Sequence, residues 1–305
     1  MDWLYLVGGL VALFLGGEAL VRGAVGIARW FAVTPLVIGL TVVGFGTSTP
    51  ELLVSADAAL RGVPDIAIGN VLGSNIGNIL LILGLAALVS PMQPQGRALR
   101  RDSVVMIAAA LILVPIFMTG TLGRLSGLAL LAGLALYLVL AFLKSADTGA
   151  ENDATPMPRP WVSGLWLVGG LVALMVGARF LVDGAVSLAR DFGLSEAFIG
   201  LSIVAVGTSL PELATSLVAA MRRQSAIAIG NIVGSNIFNV LGILGLTAVI
   251  APVPITARFL SFDLPVVLAA SLALSVFLWK GAQIGRVAGL ALLIAYALYL
   301  WAAQG

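Results

Sequence analysis

Val7-Gly8-Gly9-Leu10-Val11-Ala12-Leu13 recurs as Val168-Gly169-Gly170-Leu171-Val172-Ala173-Leu174, so position 7 maps onto position 168, an offset of 161 residues. The same offset carries Glu51 to Glu212, Asn78 to Asn239, Arg97 to Arg258 and Asp102 to Asp263. It slips by one only near the end, where Gly123-Arg124 matches Gly285-Arg286. A self-similarity that runs through most of each half defines the architecture before any local pattern does. Each copy contains five charge-poor apolar segments, at 3–28, 35–61, 66–90, 102–119 and 124–143, then 162–188, 196–221, 227–250, 264–279 and 286–302. Their lengths suit a hydrocarbon core of about 30 Å. An odd number of spans per copy makes the second copy enter the membrane from the opposite side, which is the inverted-repeat plan of many transporters.

Composition bears this out. Of the 305 residues, 60% are hydrophobic and 10% charged, with a mean hydropathy of +1.12. A water-soluble domain carries about 25% charged residues, so the solvent here is lipid. The expected fold class is an all-α polytopic membrane protein of ten transmembrane helices. Residues 1–143 form the first five-helix repeat, 144–161 a cytoplasmic linker and 162–305 the second, inverted repeat. The polar, proline-bearing linker is too short to hold a folded regulatory domain. The first apolar run lacks a basic flank, and an equivalent run opens the second copy; it reads as a mature helix and not a cleaved signal. With the N-terminus outside, inner loops hold Arg29, Arg97, Arg100, Arg101, Lys144, Arg159, Arg222, Arg223, Lys280 and Arg286. Outer loops hold Arg61, Arg124, Arg190 and Arg258. The positive-inside rule therefore places both termini outside. A net charge of +2 gives no argument for nucleic acid.

The chain has neither cysteine nor histidine. Thiolate metal sites and disulfides are excluded, and so are the commonest transition-metal ligand and the near-neutral proton relay. Any cation handled here meets oxygen.

Candidate oxygens cluster in two pairs of segments. Gly46-Thr47-Ser48-Thr49-Pro50-Glu51 and Gly207-Thr208-Ser209-Leu210-Pro211-Glu212 each put a carboxylate and a helix breaker inside an apolar run. Thr47, Glu51 and Ser55 are spaced i, i+4, i+8 and share a helix face, as do Thr208, Glu212 and Ser216. Each proline removes a backbone donor and predicts a kinked helix with a freed carbonyl, which in hydrocarbon must line a cavity or meet a ligand. Proline kinks patched by hydroxyl groups are common in membrane helices, so the kink alone is ambiguous. A carboxylate at mid-bilayer costs on the order of 3 kcal/mol on insertion scales, and neither stripe carries a Lys or Arg to offset it. Glu51 and Glu212 are therefore functional candidates.

The following segments carry Gly69-Asn70-Val71-Leu72-Gly73-Ser74-Asn75-Ile76-Gly77-Asn78 and Gly230-Asn231-Ile232-Val233-Gly234-Ser235-Asn236-Ile237-Phe238-Asn239. The glycines, Asn75 and Asn236 read as packing and cross-helix bonding. Ser74, Asn78, Ser235 and Asn239 read as neutral cation ligands on a stripe facing the glutamates. Glu18 and Arg22, and their sign-swapped counterparts Arg179 and Asp183, are expected to neutralise each other within one helix turn. Asp57 has Val218 as its counterpart and reads as an interfacial or ion-entry residue at most.

These paired motifs resemble the two α-repeats of the sodium/calcium exchanger family, within the cation/calcium antiporters, and the prokaryotic type without a regulatory domain. The resemblance implies a diamond of cation sites between the second, third, seventh and eighth helices, with Glu51 and Glu212 as shared calcium and sodium ligands. It assigns hydroxyl or backbone oxygens to Thr47, Ser48, Thr208 and Ser209, and sodium ligation to Ser74 and Ser235. Asn78 and Asn239 fall at the central site, and the carbonyl of Ala205 matches a backbone sodium ligand. It also implies that the first and sixth helices slide between two states, and that three sodium ions exchange for one calcium. Some relatives carry aspartate where Asn239 stands; asparagine in both copies weakens the case for potassium co-transport or a proton at the centre. The expected function is electrogenic sodium/calcium antiport in the inner or plasma membrane of a prokaryote. The expected partners are calcium, sodium and the bilayer, with no resident cofactor, no enzymatic activity and a monomer as functional unit. The alternative is a calcium/proton antiporter on the same frame. An ion channel lined by acids and carbonyls is a further reading, and an intramembrane enzyme has no catalytic motif behind it.

Overall fold

The computed structural model describes residues 2–31, 33–94, 96–145, 159–192 and 205–303. Helices α1 (Asp2–Trp30), α2 (Pro35–Thr47), α3 (Thr49–Leu60), α4 (Asp65–Val89), α5 (Arg97–Met118) and α6 (Arg124–Ser145) make the first repeat. The second holds α7 (Pro160–Asp191), α8 (Ala205–Thr208), α9 (Leu210–Met221), α10 (Ser225–Ile250), α11 (Phe259–Lys280) and α12 (Arg286–Ala303). Among the described residues, eight helices are long and apolar enough to cross a membrane, and α2 with α3 form a ninth span bent by 45°. The expected tenth span, 196–221, is described from Ala205 onward, and most of the expected linker lies outside the described residues.

Close backbone approach locks the repeats together. Gly9, Gly16 and Gly23 recur every seven residues on α1, keeping one seam toward α7 as in a coiled coil. A Cβ on Gly9 would lie 2.8 Å from the Gly177 carbonyl oxygen, and one on Gly170 would lie 2.8 Å from that of Gly16. Gly9 and Gly170 are repeat equivalents, and so are Gly16 and Gly177. The two contacts are thus one contact seen twice, related by a two-fold axis across antiparallel helices. Glycine is required because the helices touch backbone to backbone, without a hydrophobic force between them in lipid.

Short pairings fix which ends share a face. Strand β1 (Thr121–Leu122) pairs antiparallel with β2 (Val253–Pro254), and Arg258 donates to the carbonyl of Ala303. Met92 bridges Ile284, and Arg286 donates to the carbonyl of Leu88. The α5–α6 turn, the α10–α11 turn and the end of α12 therefore lie on one face. The α4–α5 and α11–α12 connections lie on the other, together with the α9–α10 turn. Alternation along α1 to α4 then brings the start of α1 out on the same face as the end of α12. Helices α4 and α10 are the most buried spans, and α6, α7 and α12 are peripheral. Trp3, Trp30, Phe31, Trp161, Trp279 and Trp301 lie exposed near helix ends, where indole and phenyl rings suit the membrane–water interface.

Candidate functional site

The two Pro-Glu motifs do more than kink a helix. Helix α2 ends at Thr47, Ser48 turns the chain, and α3 restarts with Pro50 in its first turn, where a missing N–H costs nothing. The second copy breaks at Ser209 with Pro211 at the corresponding place. Each proline thus starts a helix. Glu51 and Glu212 occupy the first turns of α3 and α9, where the positive end of the helix dipole favours an anion. Both are 1% exposed.

Each glutamate is held by the other repeat. Ser48 Oγ donates to Glu212 Oε1 at 2.9 Å, and Ser209 Oγ donates to Glu51 Oε1 at 3.1 Å. The two serines thus cross-link the helix restarts of the two repeats through the glutamates. Asn70 Nδ2 donates to the Glu51 carbonyl and to Ser55 Oγ at 3.0 and 2.9 Å. Asn231 Nδ2 makes the equivalent bonds to the Glu212 carbonyl and Ser216 Oγ. Ser55, Ser216, Asn70 and Asn231 therefore clamp the helix restarts and keep their polar atoms engaged there.

The crossing of α4 and α10 closes the centre. Asn75 Nδ2 donates to the Asn236 carbonyl at 3.2 Å, and Asn236 Nδ2 donates back to the Asn75 carbonyl at 3.4 Å. These residues are 161 apart and mark the two-fold axis. Their side-chain oxygens accept from Asn239 Nδ2 and Asn78 Nδ2, each at 3.0 Å. This fixes both amides, so that Asn78 Oδ1 and Asn239 Oδ1 are left as acceptors. At these two asparagines the helices change to π-helical turns, Asn78–Ile82 and Asn239–Leu244. Such widened turns reorient side chains and are frequent at functional sites.

Among the described residues, several buried oxygens have no hydrogen-bond partner, and four of them fall in two repeat-equivalent pairs on the glutamates and the central asparagines: Glu51 Oε2 with Glu212 Oε2, and Asn78 Oδ1 with Asn239 Oδ1. Buried polar atoms are ordinarily satisfied. Two carboxylate and two amide oxygens left over at symmetry-related positions form an acceptor set with no donor, which is what a bound cation requires. Among the described residues, no three His, Cys, Asp or Glu side chains converge, so the charge of the set comes from two carboxylates alone.

The remaining sequence candidates surround this centre unequally. Thr47 Oγ1 donates to Asn231 Oδ1 at 3.2 Å, and Ser235 Oγ donates to the Gly44 carbonyl at 3.2 Å. Both are buried, as is Ser74. Thr208 and Ser209 are part-exposed, and Ala205 begins α8. Thr41, also buried, turns its hydroxyl back to the Val37 carbonyl at 2.6 Å and contributes nothing to the centre. Asn75 and Asn236 bond across the helices as expected, but nothing in the sequence signalled that they orient the Asn78 and Asn239 amides. Their shared offset of 161 was the available signal, because only residues on the two-fold axis can meet their own equivalents.

Glu18 departs from the expected pairing. It accepts from Arg22 Nε at 2.5 Å and also receives the guanidinium fork of Arg222 from the end of α9. Arg179 and Asp183 lie 3.8 Å apart at exposed positions, and Asp57 pairs with Arg61 at 2.7 Å.

Comparison with known proteins agrees with this geometry. The family model described as sodium/calcium exchanger protein matches residues 1–143 and 162–304. The chain is 41% identical over 304 residues to the putative antiporter CaxA of Alkalimonas amylolytica, covering 96% of this chain and 95% of that one. It is 34% identical to the sodium/calcium exchanger MaX1 of Methanosarcina acetivorans, covering 98% and 97%. A solved structure of the sodium-calcium exchanger NCX_Mj superposes with a TM-score of 0.87 at 35% identity, over 100% of this chain and 99% of that one. With both repeats matched and the paired Pro-Glu helices facing each other across a two-fold axis, the chain is a multi-pass membrane protein that belongs to the sodium/calcium exchanger family.

Proposed function

We propose that this protein exchanges sodium for calcium across the membrane by alternating access, with both ions competing for one site built on Glu51 and Glu212. The observation that carries this reading is the set of four buried, unpartnered oxygens contributed equally by the two repeats. Calcium accepts six to eight oxygen ligands in a flexible shell, whereas magnesium demands a tight octahedron and sheds water reluctantly. Two carboxylates with amide and hydroxyl oxygens suit calcium, and a single Ca²⁺ cancels their charge. In this reading Asn78 and Asn239 complete the centre. Thr47, Ser48, Thr208, Ser209, Ser74, Ser235 and the Ala205 carbonyl supply oxygens to the flanking sodium positions.

Coupling follows from charge. Two like carboxylates fixed near each other in a dry core resist occlusion when empty and tolerate it once a cation neutralises them. Sodium ions occupying the same carboxylates exclude calcium by competition and repulsion. Exchange of three sodium ions for one calcium moves one net charge, worth about 2.3 kcal/mol per 100 mV, so direction follows voltage. The excess of arginine and lysine on the face opposite the termini puts that face in the cytoplasm. Both termini are then outside, residues 144–161 form a cytoplasmic linker between the repeats 1–143 and 162–305, and the host membrane is the inner or plasma membrane of a prokaryote. The protein acts as a transporter and not an enzyme, needs no resident cofactor and works as a monomer.

Proteoliposomes test this directly. An outward sodium gradient is expected to drive uptake of radioactive calcium and to respond to an imposed potassium-diffusion potential. Uptake driven by a pH gradient and indifferent to sodium would replace this reading with calcium/proton antiport.

A further inference from the structure

The arginines that gather where α1 meets α9 are not used by the ion site. They surround a pocket of about 260 Å³ lined by Arg22, Arg29, Arg222, Gln224, Val21 and Val25. A water molecule takes about 30 Å³ of liquid, so the pocket holds a group much larger than a single ion. Glu18 is the carboxylate that engages two of these guanidinium groups, and it is saturated: it takes the fork of Arg222 and the Nε of Arg22. The Arg22 and Arg222 side chains remain 53% and 42% exposed, so their other N–H donors reach the pocket.

Among the described residues, the repeat-equivalent positions on the opposite face are paired differently. The repeat equivalent of Arg222 is Arg61, which is tied to Asp57 of its own helix at 2.7 Å. The counterpart of Asp57 is Val218. With valine in place of an acid one turn back on its own helix, Arg222 reaches across to α1 and brings its charge to the same pocket as Arg22 and Arg29. The pairing of Arg222 with Glu18 is therefore not repeated at its equivalent, Arg61.

We propose that this pocket seats the headgroup phosphate of an anionic phospholipid from the arginine-rich leaflet. Three features of the pocket select that occupant. Planar guanidinium groups match phosphate oxygens with paired N–H donors. The pocket lies at headgroup depth, one residue from Trp30 and next to Phe31, whose exposed rings mark the interface. Val21 and Val25 give the pocket an apolar wall, which suits the glycerol and first acyl carbons and is wasted on a free anion. Basic pockets between helices on the cytoplasmic side are sites of this kind. A lipid seated there bridges α1 to the α9–α10 turn.

The test is thermal unfolding of the purified protein in detergent micelles doped with phosphatidylglycerol, with phosphatidylcholine, or with inorganic phosphate at equal concentration. Phosphatidylglycerol is expected to raise the midpoint by about 3 °C or more over phosphatidylcholine. The shift should vanish in Arg22→Gln/Arg29→Gln and persist in Arg124→Gln, which lies on the opposite face. Equal shifts from the two lipids, or a shift that survives the double substitution, would overturn the proposal. An equal shift from inorganic phosphate would overturn the lipid in favour of a free anion. Should the double variant fail to fold, Arg29→Gln alone must retain less phosphatidylglycerol through purification, measured by mass spectrometry of extracted lipid; unchanged retention would overturn the assignment. None of these readouts depends on ion transport.

Discussion

The two repeats carry the same chemistry at the centre and different packing around it. Ser48 holds Glu212 as Ser209 holds Glu51, and Asn239 meets Asn75 as Asn78 meets Asn236. Away from the axis the match fails. A Cβ on Gly234 would lie 2.1 Å from the carbonyl oxygen of Leu40, because α2 packs directly on α10. Among the described residues, the equivalent Gly73 has nothing within 4 Å; residue 201, the counterpart of Leu40, lies outside the described residues. Asn231 is buried and Asn70 part-exposed; Ser48 is buried and Ser209 part-exposed. Among the described residues, the candidate oxygens are symmetric while the packing around them is closer on the arginine-rich side. An ion site that must open to two solutions in turn needs this combination.

The largest expected effect falls on the symmetric part. Glu51→Gln and Glu212→Gln should each lower calcium uptake in proteoliposomes by at least ~100-fold, about 2.7 kcal/mol, while the protein still purifies as a folded monodisperse species. Robust exchange by either variant would remove its carboxylate from the site, and very unequal losses would break the central equivalence. Next come the glycines. Gly234→Ala pushes a methyl group into backbone and should cost about 3 kcal/mol of stability in detergent unfolding. Gly73→Ala should stay within about 1 kcal/mol of the parent. If the two behave alike, the packing difference between the repeats is not what separates them.

Smaller effects test the axis and the rim. Asn75→Ala and Asn236→Ala should each cost about 1 kcal/mol. Because they share partners, the double variant should cost less than the sum; strict additivity in the unfolding data would mean that the two asparagines do not act as a unit. At the rim, Glu18→Gln should lower stability by roughly 0.5–1 kcal/mol, discounted because its arginine partners are partly solvated. Asp57→Asn, whose pair with Arg61 is exposed on both sides, should change it by less than about 0.5 kcal/mol. A reversal of that order would move the stronger tether to the other face.

Much of the site was legible in the sequence because of cost. A carboxylate inside a bilayer has so few structural excuses that Glu51 and Glu212 identify themselves. The repeat offset then pointed to their partners. The role of the prolines was harder to read. Residue type predicted a kink, but only the chain path shows a break at Ser48 and Ser209 that puts each glutamate at a helix N-terminus. Cross-repeat bonds were also invisible, since nothing in the spacing of Ser48 says that it reaches Glu212 instead of Glu51. Glu18 shows the same limit: an i, i+4 partner was predictable, whereas Arg222, 204 residues away, was not.

The sequence by itself determined the membrane, the offset of 161 and the two acids inside the apolar runs. These follow from hydropathy and periodicity, which are local properties of a chain in lipid. Tertiary structure decided which oxygens are used up and which are left over. Asn75 and Asn236 consume donors so that Asn78 and Asn239 present acceptors, and Ser48 and Ser209 each hold one glutamate oxygen so that the other is free. It also decided that Gly234 is packed against Leu40 while Gly73 meets nothing within 4 Å among the described residues, although both occupy the same motif. A hydrogen bond depends on where two distant segments meet, and a repeated motif has the same residues whichever neighbours it is given.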